Sequence, residues 1–310
     1  MWGAGLAGRA FLGSTLLVVA VLGASFGVAL LQANRAADAA VLRALSSSRR
    51  AVDAYLAGRT RAVAGMSEVS AGVPQFRERL LTSRDRADAL DQAQEYVDLI
   101  GAAWVLVTDG DGILVARTDY PEEFDRDLSN APLVASALDG EQADGAWLDD
   151  LRGKMFIAVG TPLRASRSAA PQGALVAAYE VDDSLARAIS TATGTDVVFF
   201  MLDTLHRPVV VGSTIWREGI EEPLRDSAFV AALMADTLGA PIEVGTGGRQ
   251  LIGRAGTILS PAGDVRGGFV ALGAFDALRR TMWLAIALGV GLGVGPGLVF
   301  AVLLARQKRS

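Results

Sequence analysis

The chain has 310 residues, 51% of them apolar, with a net charge of −5 and a mean hydropathy of +0.34. It holds no cysteine and one histidine, His206, which excludes disulfides, cysteine-ligated metals and any catalytic or metal site that needs two histidines. Its acidic balance, without clustered Lys and Arg, argues against a nucleic-acid surface.

Two runs free of charged residues, Ala10–Leu31 and Thr281–Ala305, each exceed the roughly 18–20 residues that cross a bilayer core. The first follows a short N-terminal region with Arg9. It is longer than the roughly 7–15 apolar residues of a cleaved signal peptide, so the sequence favours an uncleaved anchor at 10–32. The second run, 281–305, ends in Arg306, Lys308 and Arg309. Basic residues beside a span mark the cytoplasmic side, which places residues 1–9 and 306–310 inside and about 33–280 outside. Arg279 and Arg280 on the outer flank weaken that signal. Gly23 with Gly27, and Gly289, Gly293 and Gly297, have the spacing that lets helices approach closely in lipid, although glycine is also common throughout the chain. Pro296 predicts a kink.

Between the runs the pattern is that of a folded, water-exposed module. Residues 35–70 read as one long helix with a seam at Val41, Leu45, Val52, Tyr55, Ala62, Met66 and Val69, suited to packing on its own domain or on a second copy. Gly72-Val73-Pro74 ends it. A second helix is predicted over 82–100, with Thr82 and Asp85 as a capping box and Ala87, Leu90, Ala93, Val97 and Ile100 as its apolar face. A hairpin follows: strand 103–108, the turn Asp109-Gly110-Asp111-Gly112, then strand 113–117. Strands at 155–162 and 173–181 flank a polar loop, and Asp182 and Asp183 cap a short helix through Ile189. The order then recurs: a hairpin of 197–202 and 208–211, a helix over 218–238, and strands at 241–244, 249–259 and 267–275. Antiparallel strands with segregated helices give an α+β fold.

The hairpin Asp109–Ala116 is followed by Asp127-Leu128-Ser129, Pro132-Leu133-Val134, Ala137–Gly140, the strand end Thr161-Pro162-Leu163 and Gly173-Ala174-Leu175. Together these resemble the CACHE class of bacterial extracytoplasmic sensor domains. Over about 35–280 the chain is similar to the double CACHE sensors of two-component kinases and related receptors. The resemblance implies two tandem PAS-like modules on a long N-terminal stalk helix (33–73), a membrane-distal one at 74–190 and a membrane-proximal one at 191–278. It implies a homodimer, a small-molecule ligand bound most often in the distal module, and a role in signal transduction at the bacterial inner membrane. Only Arg306–Ser310 follow the second span, without a HAMP, kinase, cyclase or methyl-accepting segment. Three readings then stay open: a truncated receptor, a stand-alone sensor acting through a partner such as a separate kinase or cyclase, or a non-signalling binding protein.

No enzyme signature stands out, and no catalytic residue, metal or cofactor is expected. Asp109-x-Asp111 fails the EF-hand pattern because Ile113 occupies its fifth position. His206 sits in a polar turn. A ligand pocket needs apolar walls and a few inward polar groups. In the distal module the candidates are Trp104, Arg117, Asp119, Tyr120, Trp147, Lys154 and Tyr179. Arg117 suits a ligand carboxylate, since its planar fork binds one bidentately. Trp147 and Tyr179 suit an aromatic wall. Against this, strand aromatics are commonly core, and strand arginines commonly face solvent. The competing reading is a structural or assembly protein of the cell envelope built on a PAS-like scaffold.

Overall fold

Residues without proline from the N-terminus to position 73 allow one uninterrupted helix. In the computed structural model, which describes residues 4–81, 86–166, 168–235, 241–246 and 249–273, α1 runs Ala4–Ala71. Among the described residues no helix is long and apolar enough to cross a membrane. The side chains of residues 10–20, the span 281–305 and its glycines lie outside that set. The two spans therefore rest on the sequence.

Residues Leu45–Gly273 form one compact unit. Within it α1 buries Leu45, Val52, Leu56, Thr60, Val63, Ser67 and Ala71, spaced three, four or seven apart along a single helical face. The predicted seam is thereby corrected. Leu45 and Val52 belong to the buried face, but Met66 and Val69 are exposed on another. The true stripe includes two polar residues that hydrophobic periodicity passes over. Thr60 bonds the Tyr179 hydroxyl at 2.9 Å, and the Tyr96 hydroxyl donates to Ser67 at 3.0 Å. A buried hydroxyl with a partner no longer carries the desolvation cost that would exclude it.

Gly72 and Val73 break α1, and Pro74 opens α2 (Pro74–Leu81), where its missing N–H costs nothing. α3 (Arg86–Ile100) follows. The predicted cap at Thr82 and Asp85 lies outside the described residues.

The first sheet, in the module expected to be membrane-distal and called distal for that reason, contains β1 (Trp104–Asp109), β2 (Leu114–Arg117), β3 (Ala143–Asp149), β4 (Lys154–Leu163) and β5 (Gly173–Glu180), with α4 (Pro132–Leu138) before β3. Its order is β2-β1-β5-β4-β3, antiparallel throughout. After α5 (Asp183–Thr193) the proximal sheet repeats that order as β7-β6-β10-β9-β8. Its strands are β6 (Asp196–Leu202), β7 (Pro208–Ser213), β8 (Ile242–Thr246), β9 (Arg249–Leu259) and β10 (Val265–Gly273). The predicted helix over 218–238 is two helices, α6 (Glu218–Arg225) and α7 (Ser227–Met234). Asp226 breaks them with an extended backbone and caps the second, accepting from Ala228 N–H at 3.0 Å.

Each sheet is covered on both faces, which is why β4, β5 and β6 read as nearly unbroken apolar runs. One face of each sheet joins a common core with α1: Val105, Val107, Ile157, Leu175 and Tyr179 from the distal sheet, Val197, Phe199 and Phe269 from the proximal. The outer distal face packs Trp104, Leu106, Phe156 and Val176 against Leu133, Val134 and Ala137 of α4. The outer proximal face packs Val198, Phe200 and Val270 against Ile220 and Leu224 of α6 and Leu233 of α7. The two hairpin turns are built alike. Asp109 Oδ1 accepts the N–H groups of Asp111 and Ile113, and Asp203 Oδ1 accepts those of Leu205 and Arg207. These bonds, that of Arg207 first, hold the Asp203 carboxyl below its ordinary range. His206 occupies the left-handed position of the second turn, at φ 57°.

α4 sits directly on β4: a Cβ on Gly160 would run into the Leu133 carbonyl. Gly160→Ala should therefore lower stability by about 1–3 kcal/mol, the usual cost of overpacking, as read by urea denaturation. An unchanged midpoint would mean that α4 is not seated there.

Candidate ligand-binding site

Leu106 pairs with Arg117 across the β1–β2 ladder, so Arg117 shares the outer distal face with Trp104 and Leu106. The chain then folds back over β2. Thr118 exchanges two hydrogen bonds with Val105, Asp125 N–H donates to Leu114, and Leu114 N–H donates to Arg126. This return brings three acidic or aromatic side chains onto Arg117. Asp119 accepts from Nε at 2.8 Å and Nη2 at 3.0 Å, a bidentate pair, and Glu123 accepts from Nη1 at 3.2 Å. The guanidinium carbon lies 4.5 Å from the Tyr120 ring centroid and 5.5 Å from that of Trp104. Arg117 is only 8% exposed. Burial by itself would pull its pKa down. The Asp119 hydrogen bond and charge, with Glu123, more than offset this and hold it above the ordinary arginine value.

Tyr120 is fixed in turn. Its hydroxyl donates to Asp149 at 2.8 Å, a bond that raises its pKa, and Arg152 lies 4.1 Å from its ring centroid. Trp104 meets Trp147 at 5.4 Å and Phe156 at 5.6 Å in edge-on geometry. Trp104 is 1% exposed, and among the described residues its Nε1 has no hydrogen-bond partner.

The structure thus brings Trp104, Arg117, Asp119, Tyr120 and Trp147 together at one end of the outer distal face. Lys154 stands opposite Asp149 in the neighbouring ladder and pairs with Glu180 at 2.8 Å. Tyr179 is elsewhere: it lies in the core against α1, on the opposite face of the sheet, so it forms no wall with Trp147. Desolvation pushes its hydroxyl up to about 12. Glu123, Asp149, Arg152 and Phe156 complete the cluster and were not singled out by sequence. Their only signal was proximity to Arg117 or a place in β3–β4, and nothing local says which strand end the return segment will reach.

Two concavities lie away from this cluster. A cavity of about 160 Å³ between α3 and the segment after β2 is lined by Leu90, Val115, Ala116 and Pro121. A broad open groove of about 870 Å³ runs along α6 and β8, with Glu218, Glu222, Asp226 and Glu243 at its walls.

Two five-stranded antiparallel sheets of identical order, joined to the same long helix through one core, give a tandem PAS-like fold that solved periplasmic domains share. The periplasmic domain of Vibrio cholerae LuxQ aligns with a TM-score of 0.50 at 11% identity, over 74% of this chain and 99% of that one. The sensory domain of the Campylobacter jejuni chemoreceptor Tlp3, with isoleucine bound, aligns at 0.48 and 13%, over 76% and 91%. The sensor domain of the V. cholerae histidine kinase DctB aligns at 0.48 and 14%, over 76% and 97%. What is shared at these identities is the fold. No family model matches the sequence, and no curated protein matches it.

Arg117→Ala leaves the Asp119 carboxylate without its cation, whereas Glu123 keeps Arg126 at 2.6 Å. It should cost about 1.5–3 kcal/mol in chemical denaturation, the worth of a hydrogen bond to a charged group. A variant as stable as the parent would show that the pair is not formed in solution. Tyr179 ionises near 10 when unfolded and near 12 when folded, so its contribution is complete below pH 10 and is lost as pH rises from 10 to 12. Tyr179→Phe should show a shallower loss of stability across that window, measured by alkaline denaturation. An identical slope would remove Tyr179 as its source.

Proposed function

We infer that the chain is a membrane-anchored extracytoplasmic sensor that binds a small molecule and passes the change along its anchor helix. The observation that carries this is the common core. Both sheets pack on one side of α1, so a rearrangement in the distal sheet is felt by the helix that continues toward the apolar run 10–31. A signal of this kind requires a ligand with different affinity for two packings, not binding alone. The distal outer face, with Trp104, Trp147, Tyr120 and Arg117, is the proposed binding region, and a second copy is the proposed partner in the membrane. The tandem fold it shares with the LuxQ periplasmic domain supports an extracytoplasmic location.

One observation favours the second reading, an envelope scaffold. The outer distal face is filled by α4, and the cavity between α3 and the segment after β2 is about 160 Å³, below the roughly 300 Å³ of small-molecule pockets.

The discriminating experiment is thermal unfolding of the full-length chain in detergent against amino acids, di- and tricarboxylates, purines and polyamines. A ligand at a hundred times its Kd adds about 2.7 kcal/mol and should raise the midpoint by several degrees. A panel with no saturable shift favours the scaffold. Orientation is tested separately: a reporter active only outside the cytoplasm should work when fused at Arg249 and fail when fused after Ser310. The reverse pattern would overturn the topology.

A further inference from the structure

We propose that Arg117 marks a carboxylate site whose resident occupant is the chain's own Asp119, so that the distal module is closed to free carboxylates at this position. This rests on the sensor reading above only in placing the site in the distal module.

The geometry is that of a bound ligand rather than a surface ion pair. Arg117 presents Nε and Nη2 side-on, and Asp119 fills that edge with both oxygens at 2.8 and 3.0 Å. The side chains of Arg117 and Asp119 are 9% and 12% exposed. Glu123 takes Nη1, which leaves the fork without a free edge for a second carboxylate. The guanidinium that holds this occupant lies against the ring of Tyr120, itself bonded to Asp149, and against that of Trp104.

Asp119 is two residues from Arg117, so its carboxylate competes at the effective concentration of a short tether, of millimolar order or higher. A free carboxylate at micromolar concentration cannot displace it. The chemistry of the site is therefore that of a small monocarboxylate, and access is controlled by whether Asp119 leaves. A ligand of the native protein that uses this face must either displace Asp119 or bind through Trp104 and Trp147 without using Arg117.

The test is chemical rescue in the full-length chain in detergent. Asp119→Ala should lower the thermal midpoint by about 3–10 °C, the consequence of one lost charge-assisted bond in a protein of this size. Sodium acetate, titrated to tens of millimolar, should restore at least half of that loss with a saturable dependence. Sodium chloride at equal ionic strength should not. The parent should respond equally to the two salts, and the double variant Arg117→Ala with Asp119→Ala should show no acetate rescue. Equal responses of Asp119→Ala to acetate and chloride, or rescue that persists in the double variant, would overturn the proposal. If Asp119→Ala does not fold, Asp119→Ser vacates the same space with a shorter polar side chain and is read in the same way. A ligand panel without hits leaves acetate rescue standing, and absent rescue leaves the sensor reading standing, so the two failures are distinguishable.

Discussion

The burial of one face of α1 against two sheets at once is the constraint on which the rest of the structure depends. Val52, Leu56 and Val63 supply its apolar part, and both sheets contribute to the same core. An isolated helix of such length gains little from propensity alone and owes its stability to the packing of its apolar stripe. The sheets in turn need a cover on this side, because five-stranded layers with Val105, Val107, Phe199 and Phe269 on one face would otherwise expose that apolar surface to water. Helix and sheets are thus mutually required. The two polar contacts within this layer, Thr60 with Tyr179 and Ser67 with Tyr96, set the rotation of the helix, since turning it would leave four buried hydroxyls without partners.

The opposite faces of the sheets are covered by different means, and this is where the two modules part. The proximal face takes α6 and α7, broken at Asp226. The distal face takes the short α4 and the return segment that carries Asp119, Tyr120 and Glu123. Covering Arg117 with two carboxylates and two aromatic rings neutralises a cation that the fold has removed from water. A buried arginine without such partners would be strongly unfavourable. The same contacts pin the return segment to the sheet, so structure and any gating of the site are set by a single network.

The repeat of hairpin, helix and antiparallel strands was legible in the sequence because each hairpin ends in an Asp-containing turn between Val-rich strands, and because Gly72 and Pro74 punctuate the stalk. Strand β3 and helix α4 were not legible. Ala143–Asp149 alternates around Gly145 and Trp147 with little β-branched content, and Pro132–Leu138 is seven residues, too short for a helical period to show. Both exist because β4 needs a neighbour and the outer face needs a cover. The single helix expected over 218–238 split for a local reason that composition hides: Asp226 satisfies a helix start better than a helix interior.

Of the site, the sequence by itself determined the residue types and their neighbourhood: an arginine ending β2, an Asp and a Tyr just beyond it, and two tryptophans in the same module, Trp104 on a predicted strand and Trp147 outside one. It also determined the absence of cysteine and of a second histidine, and the two uncharged runs that carry the membrane reading. Only the tertiary structure decided which face each side chain took and what it met. Tyr179 went to the α1 side and Trp104 to the α4 side because successive strand residues alternate, and the register with β1 and β4 assigns the faces. Arg117 met Asp119 and Glu123 because the chain after β2 turns back on itself. That path is set by long-range strand pairing, and no local propensity encodes it.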